Sequence, residues 1–469
     1  MAKPLEALDP QVLKLAAVLV VGVLAVVFDT TIVNVALDRL AEEMAVPVSV
    51  IQWVTTGYLL ALAMAVPVTG WLLDRFGGKP VWMAALALFL VGSIAASCAW
   101  DAPSLIAFRV VQGIGGGLML PVMQTLLVQA AGPRSLGRIT AIVALPALLG
   151  PILGPVLGGF IIEAVSWRWI FWINIPVGLA GLALAARVMP AGVPERRLGF
   201  DGIGFILVSP GIAAILYGLS RVALDGVASP GVLLPLLAGL LLVGAFTART
   251  LTMTAPPLVD IGLLRVPSLA AATVQLFLSG FVLYGTMLLI PLYAQQVLGY
   301  GTFAAGLLLA PQGVGALLSR PIAGRLSDSI GARWIVVAGF GLVVAGTLPF
   351  TAPSFDMAGD PWLLSAALVV RGLGLGAVTI PVMAAAYIDL DRPQVPHASI
   401  ITRTAQQIGG SFGTAVLAIL LESATVAQPG AIATAFAQSF EWAIGFTLLA
   451  LVAALWLPAR TALVAARRA

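Results

Sequence analysis

Long runs of apolar residues, separated by short polar segments, extend along almost the whole chain. A run of about 20 apolar residues has the length of a helix that crosses a bilayer. The pattern predicts an all-α polytopic membrane protein with short connections. We count fourteen such spans, at residues 13–38, 50–73, 81–99, 103–127, 139–163, 169–188, 202–220, 231–249, 268–292, 303–324, 334–351, 362–386, 398–421 and 438–458.

The basic residues are distributed unevenly around these spans. When the N-terminus is placed in the cytoplasm, the inner segments hold 17 of the 24 Lys and Arg residues, the outer loops hold three, and four lie within spans. Positive charge accumulates on the cytoplasmic side of membrane proteins. We therefore expect both termini to be cytoplasmic, which fits an even number of spans in the cell (inner or plasma) membrane.

The sequence also repeats itself. The segment GWLLDRFGGK at 70–79 recurs as GRLSDSIGAR at 324–333, 254 residues later, and VVQGIG at 110–115 recurs as VVRGLG at 369–374, 259 residues later. Six spans plus two extra spans account for offsets of this size. The repeat predicts two similar six-helix halves, at 1–188 and 268–469, with two inserted helices in 189–267.

Composition excludes several classes of protein. The chain is 60% hydrophobic and 9% charged, with a mean hydropathy of +1.07, whereas a soluble chain carries about 25% charged residues. A soluble enzyme is therefore excluded. One cysteine, Cys98, and one histidine, His397, leave no internal disulfide and no metal cluster. No phosphate-binding glycine loop ending in Lys-Ser or Lys-Thr is present, which argues against an ATP-driven pump.

The first candidate for chemistry is Asp29, which lies inside span one. A carboxylate in an apolar span is expensive and by default functional, and burial allows it to hold a proton near neutral pH. Arg109 and Gln112 in span four are three residues apart and share one helix face, so an Arg109–Asp29 coupling is predicted. The alternatives are a structural hydrogen-bonding Asp29 and an Arg109 that reaches the membrane interface.

A second candidate is the segment LGPILGPVLGG at 149–159. Its glycines recur every four residues, so they lie on one helix face and let a neighbouring helix approach closely. A generic packing helix is the alternative interpretation. The residues singled out are Gly150, Gly154, Pro155, Gly158 and Gly159.

Further polar residues could line a cavity. An interfacial role is the alternative for Glu163 and Arg403, and a packing role is the alternative for Tyr284, Tyr293 and Gln312. Arg371 is deep enough in span twelve to balance an acid in the second half, whereas Arg403 is only about 8 Å from the inner end of its span. The complete set is Asn34, Gln112, Glu163, Tyr284, Tyr293, Gln312, Arg371 and Arg403.

Several of these segments resemble motifs of one family. Residues 149–159 resemble the helix-five signature of proton-coupled drug exporters of the major facilitator superfamily. Residues 70–79 resemble the superfamily's loop signature between helices two and three, and the surroundings of Arg109 resemble its helix-four motif. The string WRWIFWINIP at 167–176 is similar to one in the fourteen-helix exporters of the EmrB/QacA type, as are 29–37, 257–260 and 290–300.

The resemblance covers nearly the whole chain and implies a proton-coupled antiporter that exports small amphipathic or cationic compounds by alternating access. It implies proton coupling by Asp29 and Arg109, no cofactor beyond the proton gradient, and no nucleic-acid partner. We expect a monomer whose partners are its cargo, protons and the bilayer, and the need for a periplasmic adaptor stays open. The two copies of the loop signature are interpreted as a conformational latch, formed by Gly70, Asp74, Arg75, Gly77, Lys79, Gly324, Asp328, Gly331 and Arg333.

One departure from the family pattern affects the cargo. Many family members carry an asparagine in span thirteen and an arginine three residues later, where this chain has Arg403 and Gln406. Substrate contacts are therefore not carried over to this helix. A dedicated exporter of an endogenous metabolite or lipid, or a membrane sensor that no longer transports, remains an alternative function.

Overall fold

The structure is a computed structural model that describes residues 9–131, 161, 165–190, 199–253, 255–351, 360–428 and 430–458. Helices are the regular secondary structure of these residues. Among them, a first compact unit ends at Gly199 and a second begins at Phe200. Each unit is described by itself.

The helices of the first unit include short breaks within two of the predicted spans. Span one ends at Val35 and is followed at once by a short helix, and span two is divided by a 3₁₀ turn at Val66–Val68. In chain order the helices are α1 (Pro10–Val35), α2 (Leu37–Glu43), α3 (Val48–Ile51), α4 (Trp53–Ala65), α5 (Thr69–Phe76), α6 (Gly78–Ser97), α7 (Ala102–Ala131), α8 (Trp169–Trp172) and α9 (Asn174–Val188).

The second unit contains the remaining described helices. They are α10 (Gly202–Asp225), α11 (Pro230–Thr252), α12 (Pro267–Gln296), α13 (Thr302–Leu307), α14 (Ala310–Ile330), α15 (Ala332–Thr347), α16 (Pro361–Ala386), α17 (Val395–Ala427) and α18 (Ile432–Ala453). Helices α10 and α11 pack against each other, and α10 also contacts α17. The division at 188/189 and 267/268 stays a prediction.

Twelve helices in the described part of the chain are long and apolar enough to cross a membrane. Two of the fourteen predicted spans are not among them. Span 139–163 lies outside the described residues. Span 303–324 is helical but divided between α13 and α14, and α14 carries Arg320, Arg325 and Asp328, which lower its apolar character. The count of fourteen therefore stays a prediction.

Helix starts are set by a capping side chain followed by proline. Asp9, Ser229 and Asp360 each precede a proline and accept hydrogen bonds from backbone N–H groups of the first turn. The side-chain oxygen satisfies donors that have no partner within the helix. Proline at the first helical position loses no hydrogen bond and has the required φ. These caps fix where α1, α11 and α16 begin.

The repeat in the sequence is also a repeat in packing. In the first unit α4 packs against α7, and in the second α14 packs against α16. Gly113 of α7 lies against the carbonyl oxygen of Tyr58, and Gly372 of α16 lies against the carbonyl oxygen of Gln312. A methyl group at either glycine would overlap that carbonyl, so both helix pairs depend on the missing side chain. Corresponding residues of the two units thus make corresponding contacts.

Candidate functional site

Asp29 is the centre of a buried polar network in the first unit. Its Oδ2 lies 2.5 Å from Nη1 of Arg109, and its Oδ1 accepts hydrogen bonds from Gln112 Nε2 at 3.0 Å and Asn174 Nδ2 at 3.1 Å. Asp29, Arg109 and Gln112 are 0% exposed. Side chains from α1, α7 and α9 therefore enclose one ion pair away from solvent.

Arg109 is held by more than its carboxylate partner. Its Nη1 also donates to Gln112 Oε1 at 2.8 Å, and its Nε donates to the carbonyl oxygen of Val54 at 3.2 Å. Its Cζ lies 4.0 Å from the ring centroid of Tyr58, the geometry of a cation–π contact. Within the described residues, Arg109 Nη2 and the Tyr58 hydroxyl have no hydrogen-bond partner. The guanidinium thus keeps spare donors beside the ion pair.

A second layer of contacts orients Asn174. Its Nδ2 lies 3.1 Å from Ser93 Oγ, and that hydroxyl donates to the carbonyl oxygen of Phe171 at 2.9 Å. Ser93 is on α6, and Asn174 is the first residue of α9. The two N–H groups of Nδ2 are the only donors of the Asn174 side chain. One of them bonds to Ser93, a residue of a third helix, and this contact turns the nitrogen toward Asp29.

This arrangement suits an ionised Asp29. Both carboxylate oxygens accept hydrogen bonds, and these bonds are stronger to a charged acceptor than to a neutral one, so a proton on Asp29 would weaken them. Neutralising Asp29 would also leave the Arg109 charge buried without a counter-charge, and breaking a buried pair in this way costs about 3–5 kcal/mol. The network can therefore change shape when one proton is bound or released.

The structure brings together Asp29, Arg109 and Gln112, which the sequence analysis paired. Full burial of Arg109 excludes the alternative in which its side chain reaches the interface. Sequence analysis missed Asn174 and Ser93 as site residues. The only signal for Asn174 was an amide side chain within an apolar span, and Ser93 gave none.

The two copies of the loop signature make matching contacts, each inside its own unit. Gly77 and Gly331 end their helices with φ of +81° and +93°, and each N–H donates to the carbonyl oxygen four residues earlier. Lys79 Nζ donates to the carbonyl oxygens of Ala186 at 2.7 Å and Met189 at 3.0 Å, at the end of α9. The basic residue therefore caps the last helix of its unit.

Arg333 does the same in the second unit. Its Nε donates to the carbonyl oxygen of Leu457 at 2.9 Å, after the end of α18. Gly70 and Gly324 are buried, Asp74 is partly buried, and Arg75 is exposed. The side chain of Asp328 lies outside the described residues. The proposed latch thus contains a helix-capping contact in each half, and its role in a transport cycle stays a prediction.

Arg371 and Gln312, two predicted cavity residues, meet in the second unit. Arg371 donates to Gln312 Oε1 and to Thr286 Oγ1, and its Nε donates to Thr347 Oγ1 at 3.3 Å. The side chain is 0% exposed. From its depth in the span Arg371 could balance an acid, but the partners that the described residues provide are neutral.

The other predicted cavity residues are dispersed. Tyr284 is 45% exposed and packs beside Gly410, and Arg403 is partly buried on α17. Tyr293 is buried and makes edge-on ring contacts with Phe350, Phe436 and Phe440, which is a packing role. The Asn34 side chain, Glu163 and the glycine segment Gly150, Gly154, Pro155, Gly158 and Gly159 lie outside the described residues.

Comparison with known proteins adds to this geometry. A family model described as Major Facilitator Superfamily matches residues 19–414. The chain is 39% identical over 417 residues to the "Multidrug resistance protein B homolog" of Mycobacterium tuberculosis, covering 89% of this chain and 77% of that protein. It is 29% identical over 391 residues to the lincomycin resistance protein LmrB of Bacillus subtilis, covering 83% of this chain and 81% of that protein.

The fold is also similar to a solved structure. The proton:xylose symporter XylE superposes with a TM-score of 0.62 at 16% identity, over 93% of this chain and 95% of that chain. At this level of identity the likeness concerns the fold alone.

Proposed function

Because the chain belongs to the Major Facilitator Superfamily, as the family model over residues 19–414 shows, we propose that it exports small amphipathic or cationic compounds in exchange for protons. Two relatives that match most of its length are named for resistance, one to multiple drugs and one to lincomycin. Export of such compounds from the cytoplasm across the cell (inner or plasma) membrane would give a resistance of that kind.

The observation that carries the proposal is the buried ion pair between Asp29 and Arg109. Intramembrane ionisable residues are rare, face partners, and mark ion pathways and proton relays. Here the acid is joined to α7 and α9 by hydrogen bonds that are stronger when it is ionised. A change in its protonation therefore alters contacts between helices, which is what proton coupling needs.

The proposed cycle starts from this arrangement, in which Asp29 is paired with Arg109 and not with cargo. A proton that enters from outside neutralises Asp29 and releases Arg109 and Gln112 from the carboxylate. The Arg109 charge then favours another conformation, in which it finds solvent or other acceptors. Loss of the proton to the cytoplasm restores the pair. Alternating access by the two halves around a central cavity couples these steps to outward movement of cargo.

The remaining architecture belongs to the same proposal. We propose fourteen spans, cytoplasmic termini and a monomeric transporter. The glycine-proline segment at 149–159 packs the first half and limits leakage, and the two copies of the loop signature hold one state of the cycle.

The experiment that tests the function uses inverted membrane vesicles, in which the cytoplasmic face of the membrane points outward. Export of ethidium then appears as uptake of the dye into the vesicles, and it is measured with an imposed proton gradient. Wild type is compared with Asp29→Asn, which keeps the shape of the side chain and removes its charge. Asp389→Asn is the matched control, because Asp389 is exposed and lies between α16 and α17. We expect gradient-dependent movement in wild type and the control, and a loss of at least tenfold in Asp29→Asn.

Two outcomes would contradict the proposal. Equal gradient-driven movement in wild type and Asp29→Asn would make Asp29 a structural residue. Absence of ethidium movement in wild type, together with absence of dye binding, would favour a dedicated exporter of another compound.

A further inference from the structure

The polar network around Asp29 has a counterpart in the second unit. Gln312 and Thr347 lie 254 residues after Tyr58 and Ser93, the offset that separates the two loop signatures, and Arg371 lies 259 residues after Gln112. Helix α12 begins at Pro267, which lies 257 residues after Pro10 at the start of α1. Thr286 lies the same 257 residues after Asp29. The corresponding pairs are Asp29 and Thr286, Tyr58 and Gln312, Ser93 and Thr347, and Gln112 and Arg371.

Contacts support this correspondence. The side chain of Gln112 bonds to Asp29, and that of Arg371 bonds to Thr286. Gly113, which follows Gln112, lies against the carbonyl of Tyr58, and Gly372, which follows Arg371, lies against the carbonyl of Gln312. The two clusters therefore occupy equivalent places in the two units.

The charges of the two clusters differ. In the first unit Asp29 and Arg109 neutralise each other. In the second unit the position of Asp29 is taken by Thr286, and the cation Arg371 has hydroxyl and amide partners only, in the part of the chain that the structure describes. A charge buried without an opposite charge is unfavourable in a membrane protein, so an anion at this place would be strongly attracted.

The guanidinium also has unused donors. An arginine has five N–H groups, and the bonds of Arg371 use Nε and one hydrogen on each of Nη1 and Nη2. One N–H on each terminal nitrogen is left without an acceptor among the described residues. Two N–H groups are what a carboxylate takes from a guanidinium, in bonds stronger than those to neutral acceptors.

We propose that Arg371 binds a carboxylate group carried by the cargo. The bound carboxylate lies beside Thr286 and accepts hydrogen bonds from the two unused N–H groups of Arg371, so it supplies the negative charge that Asp29 supplies in the first half. Arg371 is fully buried in the described conformation, so cargo reaches it in another state of the cycle. The inference rests on the proposed transport function and extends the cargo from cations to zwitterions with a carboxylate.

The test uses rhodamine B and its ethyl ester, two amphipathic dyes that differ in the free carboxylate. Binding to the purified full chain in lipid nanodiscs is followed by fluorescence polarisation, without a proton gradient. Arg371→Gln restores the residue type of the first half, and we expect it to weaken rhodamine B binding at least tenfold and ester binding less than twofold. Arg371→Lys keeps the charge and should retain part of the preference for rhodamine B.

A second pair of variants tests the place of the carboxylate. Thr286→Asp supplies an internal acid and should weaken rhodamine B binding as Arg371→Gln does. Thr286→Asn, which matches the shape of Asp without its charge, should weaken it clearly less than Thr286→Asp. Because Arg371→Gln also alters a buried cluster, this pair keeps the test informative if that variant does not fold.

The inference is overturned if wild type does not bind rhodamine B, if Arg371→Gln weakens both dyes equally, or if Thr286→Asp leaves rhodamine B binding unchanged. Failure of the proposed function would appear in a different experiment, as the absence of gradient-driven ethidium movement. The binding comparison needs no gradient, so the two failures are distinguishable.

Discussion

Asn174 donates a hydrogen bond from Nδ2 to Asp29 Oδ1 over 3.1 Å, and Ser93 Oγ lies 3.1 Å from the same nitrogen. The donor holds one oxygen of the carboxylate against α9, so its removal should loosen the network of Asp29 and Arg109. A hydrogen bond to a charged group contributes about 1.5–3 kcal/mol. We expect Asn174→Ala to lower gradient-driven ethidium efflux by about tenfold or more.

Two variants separate this role from general packing. Ser93→Ala should lower efflux as well but less, because Ser93 acts through Asn174. Gln275→Ala is the matched control, since Gln275 is a fully buried amide that donates to the carbonyl of Ala450 in the other unit. Unchanged efflux in Asn174→Ala, or the same loss in Gln275→Ala, would show that Asn174 does not act on Asp29.

Lys79 and Arg333 should stabilise their units by capping helix ends. A cation at a helix C-terminus contributes about 0.3–1 kcal/mol, and up to about 2 kcal/mol when partly buried. We expect Lys79→Met and Arg333→Met each to lower the thermal unfolding temperature in detergent, and Lys79→Arg to lower it less. Lys14→Met is the control, because Lys14 is exposed on α1, and an equal loss there would remove the capping explanation.

The residues of the ion pair could be predicted from the sequence, whereas the partners of the loop residues could not. Asp29 and Arg109 were found because charged side chains in apolar spans are rare. Asn174, Ser93 and Tyr58 were not, because uncharged polar residues are common in spans and their partners depend on how helices pack. The repeat pointed to matching contacts of Lys79 and Arg333, but the helix ends they cap come from distant segments.

The course of the helices was predicted only in outline. Hydropathy gives the length of an apolar run, and it does not report backbone breaks such as the 3₁₀ turn at Val66–Val68 or the division between α13 and α14. An acid that Arg371 could balance is not among the partners that the described residues provide, because depth in a span indicates burial and does not identify the neighbours on other helices. The repeat offsets of 254 and 259 residues do not lead from Asp29 to Thr286, and the correspondence became visible only from the starts of α1 and α12, which are 257 residues apart.

Close approach of α4 and α7 should make Gly113 intolerant of a side chain. An added methyl group would overlap the carbonyl of Tyr58, and the helices would have to separate beside the Asp29 network. We expect Gly113→Ala to lower both thermal stability and ethidium efflux. Gly341→Ala is the matched control, because nothing lies within 4 Å of the added carbon there. Alanine should then be neutral or favourable by up to about 1 kcal/mol, and equal damage in both variants would contradict the packing argument.

Asp201 lies outside the spans, directly before the start of α10, and its side chain pairs with Arg249 near the end of α11. Its Oδ1 lies 2.9 Å from Arg249 Nη2, it accepts the N–H of Gly204 at 2.9 Å, and it accepts the N–H of Leu258 at 3.2 Å. Burial raises the pKa of Asp201, but the bonds from Arg249, Gly204 and Leu258 outweigh burial, so the pKa lies below its ordinary value.

A lowered pKa makes this contribution to stability depend on pH in one direction. The ionised group stabilises the fold above the pKa of the unfolded chain, near 4, and the stabilisation is lost as pH falls through the lower pKa of the folded state. We expect Asp201→Asn to lower the unfolding temperature at pH 7, with a difference from wild type that shrinks as the pH falls below about 4. Asp389→Asn, at an exposed position, should show no such difference at either pH. A gap between wild type and Asp201→Asn that stays constant or widens at low pH would contradict the assigned direction, because a protonated Asp201 can no longer favour the charged partner Arg249.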